Sequence, residues 1–195
     1  MPSRRQSLAS LALALALVAP AASVRAAKGP KASDFLLGGT PPAITEAERA
    51  LTSVASAPGA AAAVLLEVEQ YEFEDVFVRY RHLRRVKILT EAGVAEHGDM
   101  RETFYGDWRI GTTKARVILP NGTEVDAAAN VHVESSKNPD MTTITATFPQ
   151  VQKGAILELL TEANYDASFY SLSEYVVQED IPAVLKRFVL LPAPE

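Results

Sequence analysis

The chain has 195 residues, 48% apolar and 22% charged, with no cysteine and a formal net charge of −5. That size and composition suit one domain around one buried core. The absence of cysteine excludes disulfides, thiolate metal sites, a cysteine nucleophile and a lipid anchor on cysteine.

Arg4 and Arg5 precede an apolar run from Leu8 to Val18, followed by Pro20 and a zone of small residues. This order reads as a secretory signal peptide over residues 1–26, with Val24 and Ala26 as the small pair before cleavage and Ala21 or Ala27 as alternative last residues. The apolar run is too short to span a bilayer core of about 30 Å, and no later stretch is long enough, so no membrane span is expected. Ser3-Arg4-Arg5-Gln6-Ser7-Leu8 also fits a loose twin-arginine signal, which leaves both export routes open. Export places the mature chain in the periplasm or outside the cell. Cleavage after Ala26 removes Arg4, Arg5 and Arg25 and no acid, moving the net charge from −5 to −8. So acidic a domain is a poor ligand for nucleic acid or anionic membranes.

Residues 27–43 are rich in Lys, Gly, Pro and Ser and read as a flexible leader. Thr45 followed by Glu48 forms a capping box, so a short helix is expected within 44–57, from Glu46 to about Ser53, ending before Pro58-Gly59. From Ala60 the period becomes two. Val64, Leu66 and Val68 alternate with Leu65, Glu67 and Glu69, and a long strand follows from Val76 to Leu89. One side of that strand carries Val76, Val78, Tyr80, Val86 and Ile88; the other carries Phe77, Arg79, Arg81, Leu83, Arg85 and Lys87. The alternation falters at His82–Arg84, where a bulge is expected. Further strands are expected at 110–119, 123–125, 131–134, 142–148, 155–163, 175–178 and 184–191. Turns are expected at Glu91-Ala92-Gly93, Pro120-Asn121-Gly122, Asn138-Pro139-Asp140 and Lys153-Gly154. Strands at this spacing predict an all-β fold over 60–192, an antiparallel β-sandwich with one short N-terminal helix.

Four segments carry a family likeness: Arg85–Gly93 (RVKILTEAG), Lys114–Thr123 (KARVILPNGT), Phe148–Glu158 (FPQVQKGAILE) and Gln178–Pro182 (QEDIP). Their order and spacing resemble the bacterial domain of unknown function 3857, which sits before a transglutaminase-like domain in exported or envelope proteins. The likeness covers about Ala60 to Pro192. It implies a sandwich similar to the N-terminal domain of gluzincin-type aminopeptidases, an accessory or interaction role, a transglutaminase-like or other envelope partner, and no catalytic role or cofactor. The chain ends where the transglutaminase-like domain would begin, so the partner would be separate or the chain a truncated version.

Candidate sites are few. Tyr105-Gly106-Asp107-Trp108-Arg109 holds the only tryptophan, and Tyr105, Trp108 and Arg109 are the candidate contacts for a ligand or partner; the competing reading tucks Trp108 over the end of the core. The row Arg79, Arg81, Arg85, Lys87 could meet an anionic glycan. A hairpin turning near Glu74-Asp75 would instead set Glu69 against Arg79, Glu67 against Arg81 and Leu65 against Leu83, which is ordinary cross-strand pairing. His82, His97 and His132 are scattered and lack zinc-motif spacing, so no metal site is indicated. No serine sits in a nucleophile elbow. Glu67/Glu69 and Glu72/Glu74 read as solvated pairs on a strand. The expected function is therefore non-catalytic, the alternative being an envelope hydrolase, a peptidase or glycan-acting enzyme, with a site that one sequence does not reveal.

Overall fold

A computed structural model describes residues 36–137, 140–166 and 179–193. The signal segment, the Asn138-Pro139 turn and the strand expected at 175–178 lie outside the described residues. In chain order the elements are helix α1 (Glu46–Ala50), strands β1 (Ala62–Phe73) and β2 (Phe77–Ile88), helix α2 (Glu91–His97), and strands β3 (Asp99–Tyr105), β4 (Arg109–Ile118), β5 (Glu124–Asp126), β6 (Val131–Lys137), β7 (Asp140–Thr147), β8 (Ile156–Asp166) and β9 (Lys186–Leu191). They form a six-stranded sheet in the order β5-β4-β8-β2-β1-β9 and a three-stranded sheet in the order β3-β7-β6. The result is the expected two-sheet sandwich. Every pairing is antiparallel except β1 with β9, which is parallel.

The inner faces supply the core. Val64, Val86, Ile88, Val117, Leu157 and Leu159 of the large sheet pack with Met100, Ala146 and Phe148 on the small-sheet side. Each such side chain stabilises the fold by roughly 1.5–3 kcal/mol through burial. The outer face of the large sheet is apolar too: Leu66, Val68, Leu83 and Leu160 lie under Leu37, and Leu65, Ile118 and Ile156 meet Ile44 and Leu51. The residues from 36 to 43, which composition reads as part of a flexible leader, thus form a strap. The Leu37 amide donates to Gln70 Oε1 at 2.7 Å, and Gln70 is itself buried. Helix α1 begins with the expected capping box: the Glu48 amide donates to Thr45 Oγ1, and the Thr45 amide donates to Glu48 Oε2.

The β1–β2 hairpin corrects the expected register. Its turn is tight, with the Glu74 amide donating to the Phe77 carbonyl at 2.9 Å. Arg79 therefore faces Glu72, Arg81 faces Gln70 and Leu83 faces Val68. The bulge is displaced as well: it lies in β1 between Val64 and Leu66, not at His82–Arg84. One extra residue at Leu65 reverses the phase of β1, so Leu65 and Leu66 both serve the outer cores while Glu67 and Glu69 turn inward. The broken alternation of β2 has a different cause, since His82 and Arg84 point into the sandwich to meet Glu67.

Two elements were not expected. Glu91-Ala92-Gly93 opens helix α2, where Thr90 Oγ1 accepts from the Gly93 amide. The backbone comes so close there that a Cβ on Gly93 would lie 2.2 Å from the Ala61 carbonyl oxygen. Residues 99–105 form strand β3, whose inward positions are Met100, Glu102 and Phe104. The inward-facing, half-buried glutamate hides its alternation. The turns at Asn121-Gly122 and Lys153-Gly154 are as expected, both glycines having φ of +86°.

Candidate functional site

The inward polar residues converge at one end of the sandwich. β1 brings Glu67 and Glu69, β2 brings Tyr80, His82 and Arg84, β3 brings Glu102, and the last segment brings Glu179 and Lys186. His82 sits between two carboxylates, Nδ1 at 3.0 Å from Glu102 Oε1 and Nε2 at 3.1 Å from Glu67 Oε1. A carboxylate only accepts, so an imidazole bridging two of them carries protons on both nitrogens. Tyr80 Oη donates to the same Glu102 oxygen at 3.1 Å. Glu67 is also held by Arg84 Nη1 and by Lys186 Nζ, both at 2.7 Å, and Arg84 grips Glu179 with both terminal nitrogens. Since Glu102 belongs to the small sheet and Glu67 to the large one, the imidazolium ties the two layers together.

The ionisation states follow from these contacts. Burial works against a charged imidazole, but Glu102 and Glu67 outweigh it and push His82 up to about 10. Burial likewise opposes the Glu67 carboxylate, yet His82, Arg84 and Lys186 together hold it well below the usual carboxylate range. Burial raises the Glu69 pKa, and the neighbouring carboxylates Glu67 and Glu102 add to it, outweighing His82 and Lys186, which lower it. Tyr80 is raised well above 10 by burial and by Glu102.

One ligand atom each from Glu67, Glu69 and His82 lies within 4.8 Å of the others, a spacing that a metal ion can bridge. The surroundings do not suit one. A metal requires a neutral imidazole, whereas both His82 nitrogens face acceptors, and Arg84 and Lys186 already neutralise Glu67. Glu179 is the one member of the cluster that lines any of the five cavities of about 280 to 470 Å³ among the described residues, a space of about 390 Å³ shared with Asp180, Ile181 and Pro182; Glu67, Glu69, His82 and Glu102 line none of the five. The arrangement is therefore a layer-joining ion network.

Trp108, of the candidate contacts, is half-buried within a ring cluster, 5.6 Å from Tyr80, 5.4 Å from Phe104 and 5.1 Å from Tyr165 between centroids. It belongs to the edge of the core. Tyr105 and Arg109 are exposed, and Arg109 lines a shallow cavity with Phe77 and Tyr165. The structure does not gather the three into one aromatic platform. In the basic row, Arg79 binds Glu72 and Glu74, Arg81 meets Glu72 and Glu162, and Arg85 is buried between Glu158 and Glu48. Lys87 differs, as its ammonium donates to the Arg49 carbonyl oxygen at 2.7 Å. His97 lies in α2 and His132 is exposed on β6, far in sequence order from the His82 cluster. Sequence reasoning set Glu67 and Glu69 on a solvated face and missed the network. The available signal was the placement of His82 and Arg84 in phase with Tyr80 and Val86.

These features define a two-sheet β-sandwich with a charged interior end. A solved structure described as a candidate protease from Parabacteroides distasonis ATCC 8503 superposes with a TM-score of 0.55 at 12% identity, over 67% of this chain and 29% of that one. The likeness is one of fold, and the chain spans less than a third of that protein's length. The CBM3a-L domain with flanking linkers from scaffoldin cipA of the Clostridium thermocellum cellulosome aligns at 19% identity over 60% of this chain and 81% of its own, with a TM-score of 0.34. No protein-family model matches the chain, and no curated protein does. Among the described residues no helix is long and apolar enough to cross a membrane.

Proposed function

We propose that the chain is an exported, non-catalytic accessory domain that binds a transglutaminase-like domain or another envelope protein. The signal-like N-terminus supports export, and the four family-like segments support the transglutaminase association. The observation that carries the interaction reading is at β9, the last strand of the large sheet among the described residues. Phe188 and Leu190 on it are 36% and 45% exposed, and Val184 and Leu185 just before it are 56% and 39% exposed. Large apolar side chains gathered at a strand that ends a sheet suit the addition of a partner strand or surface.

The test is size-exclusion and calorimetric titration of the purified mature chain against the transglutaminase-like polypeptide encoded nearest to it. The expected result is a complex that Phe188→Lys with Leu190→Lys abolishes while the melting temperature stays within a few degrees. Absence of a complex, or hydrolysis of peptide or glycan substrates by the purified chain, overturns the reading and favours the envelope hydrolase.

A further inference from the structure

Three of the four family-like segments meet at one place on the outer face. The end of β2 contributes Lys87, the end of β4 runs into Pro120, and the turn before β8 contributes Lys153 and Gly154; α1 closes the fourth side with Arg49. Together they wall a cavity of about 280 Å³. Its frame is fixed by backbone bonds, the Gly154 amide donating to the Ile88 carbonyl at 2.8 Å and the Ile88 amide to the Ala155 carbonyl at 3.0 Å. Gly154 has φ of +86°, and a Cβ there would lie 3.2 Å from Pro120 Cγ, so the two turns touch.

The charge in this cavity is one-sided. Lys87 is 5% exposed, and its one hydrogen bond among the described residues goes to the Arg49 carbonyl. An ammonium has three donors, so two are left for something else. Arg49 and Lys153 stand exposed at the rim, and neither forms an ion pair among the described residues. By contrast, Arg79, Arg81, Arg84, Arg85, Arg116 and Lys186 of the same sheet each lie against a carboxylate. Burial and the neighbouring Arg49 both lower the Lys87 pKa, and no acid offsets them. A buried ammonium without a counter-charge is costly unless a ligand supplies one. Beneath the cations the walls are apolar, formed by Leu51, Ile118 and Ile156.

We propose that this cavity binds a small carboxylate with an apolar body, the acid group held by Lys87, Lys153 and Arg49 and the body resting on Leu51, Ile118 and Ile156. A free carboxylic acid and the C-terminal end of a peptide share that chemistry. The volume is enough for one apolar residue and its carboxylate, and the cations favour a monoanion that keeps its body out of water. The site is separate from the β9 contact, so either can fail without the other.

The experiment is calorimetric and NMR titration of the mature chain with N-acetyl-leucine, its amide, a blocked tetrapeptide ending in leucine with a free carboxylate, and inorganic phosphate. N-acetyl-leucine should bind, and the amide should bind about tenfold or more weakly, the factor expected when a charged contact of this kind is removed. Lys87→Met and the surface change Lys153→Glu should each weaken N-acetyl-leucine by about tenfold or more, the second without any demand on the core. A tetrapeptide that binds more tightly than N-acetyl-leucine identifies a chain end as the ligand; one that binds no better identifies a free acid. The proposal is overturned if N-acetyl-leucine does not bind, if its amide or phosphate binds as well, or if both variants bind like the parent.

Discussion

Replacing His82 with glutamine tests whether a charged imidazole joins the two sheets. The folded pKa of about 10 stands above the ordinary value of 6.5. A raised value means that the proton is held more tightly in the folded state. The stabilisation is therefore complete below pH 6.5 and lost as pH rises towards 10. At about 1.4 kcal/mol per unit, the ceiling is about 5 kcal/mol. That figure already leaves out the contacts the neutral ring keeps, since it counts only the difference between the charged and the neutral imidazole. A loss of up to about 4 kcal/mol is therefore expected between pH 6 and pH 10. Of the groups facing His82, Tyr80 is raised well above 10, Arg84 and Lys186 are raised by the carboxylates they touch, and Glu67 and Glu179 are lowered by their cations, so none of these should change its charge within the window. Urea unfolding at pH 6, 8 and 10 should show the parent losing this stability while His82→Gln changes far less. Parallel profiles for the two proteins, or an imidazole that titrates near 6.5 by NMR, would refute the double hydrogen bond as a charged one.

Two further substitutions probe the outer face and the α2 junction. Arg85→Ala leaves Glu158, 1% exposed, without its closest counter-charge, and should destabilise the fold by about 3–5 kcal/mol in urea unfolding; a loss under 1 kcal/mol would mean that Arg116 alone satisfies Glu158. Gly93→Ala forces the start of α2 away from Ala61 and should cost about 1–3 kcal/mol, seen as a lower melting temperature; an unchanged value would show that the contact relaxes freely.

The strands legible in the sequence are those whose side chains alternate cleanly and whose turns carry Asn-Gly or Lys-Gly. β4, β5, β7 and β8 fall within a few residues of the expected positions, and Ile144, Ala146 and Phe148 face inward. β3 was hidden because Glu102 occupies a core position, where a charge argues against burial unless its partners are known. Those partners, Tyr80 and His82, lie twenty or more residues away and across two sheets. α2 was hidden because Gly93, a poor helix former, is needed for close approach to Ala61. The β1 register depended on a bulge that leaves no mark of its own in a run of apolar residues. The cavity at Lys87 was visible only as three separate motifs, and folding alone brings Lys87, Pro120 and Lys153 to one wall.

The extra residue at Leu65 also divides the molecule into two halves with different responses to their surroundings. On the Ala62–Val64 side the interior is hydrocarbon, and its opening should depend on temperature and little on acidity. On the Glu67–Tyr71 side the interior contains paired charges, whose hold on the second sheet varies with proton activity and, where solvent reaches them, with salt. Amide exchange along the single strand β1 should therefore change its pH dependence within two or three residues. Such a strand could release one end of the sandwich while the other stays shut.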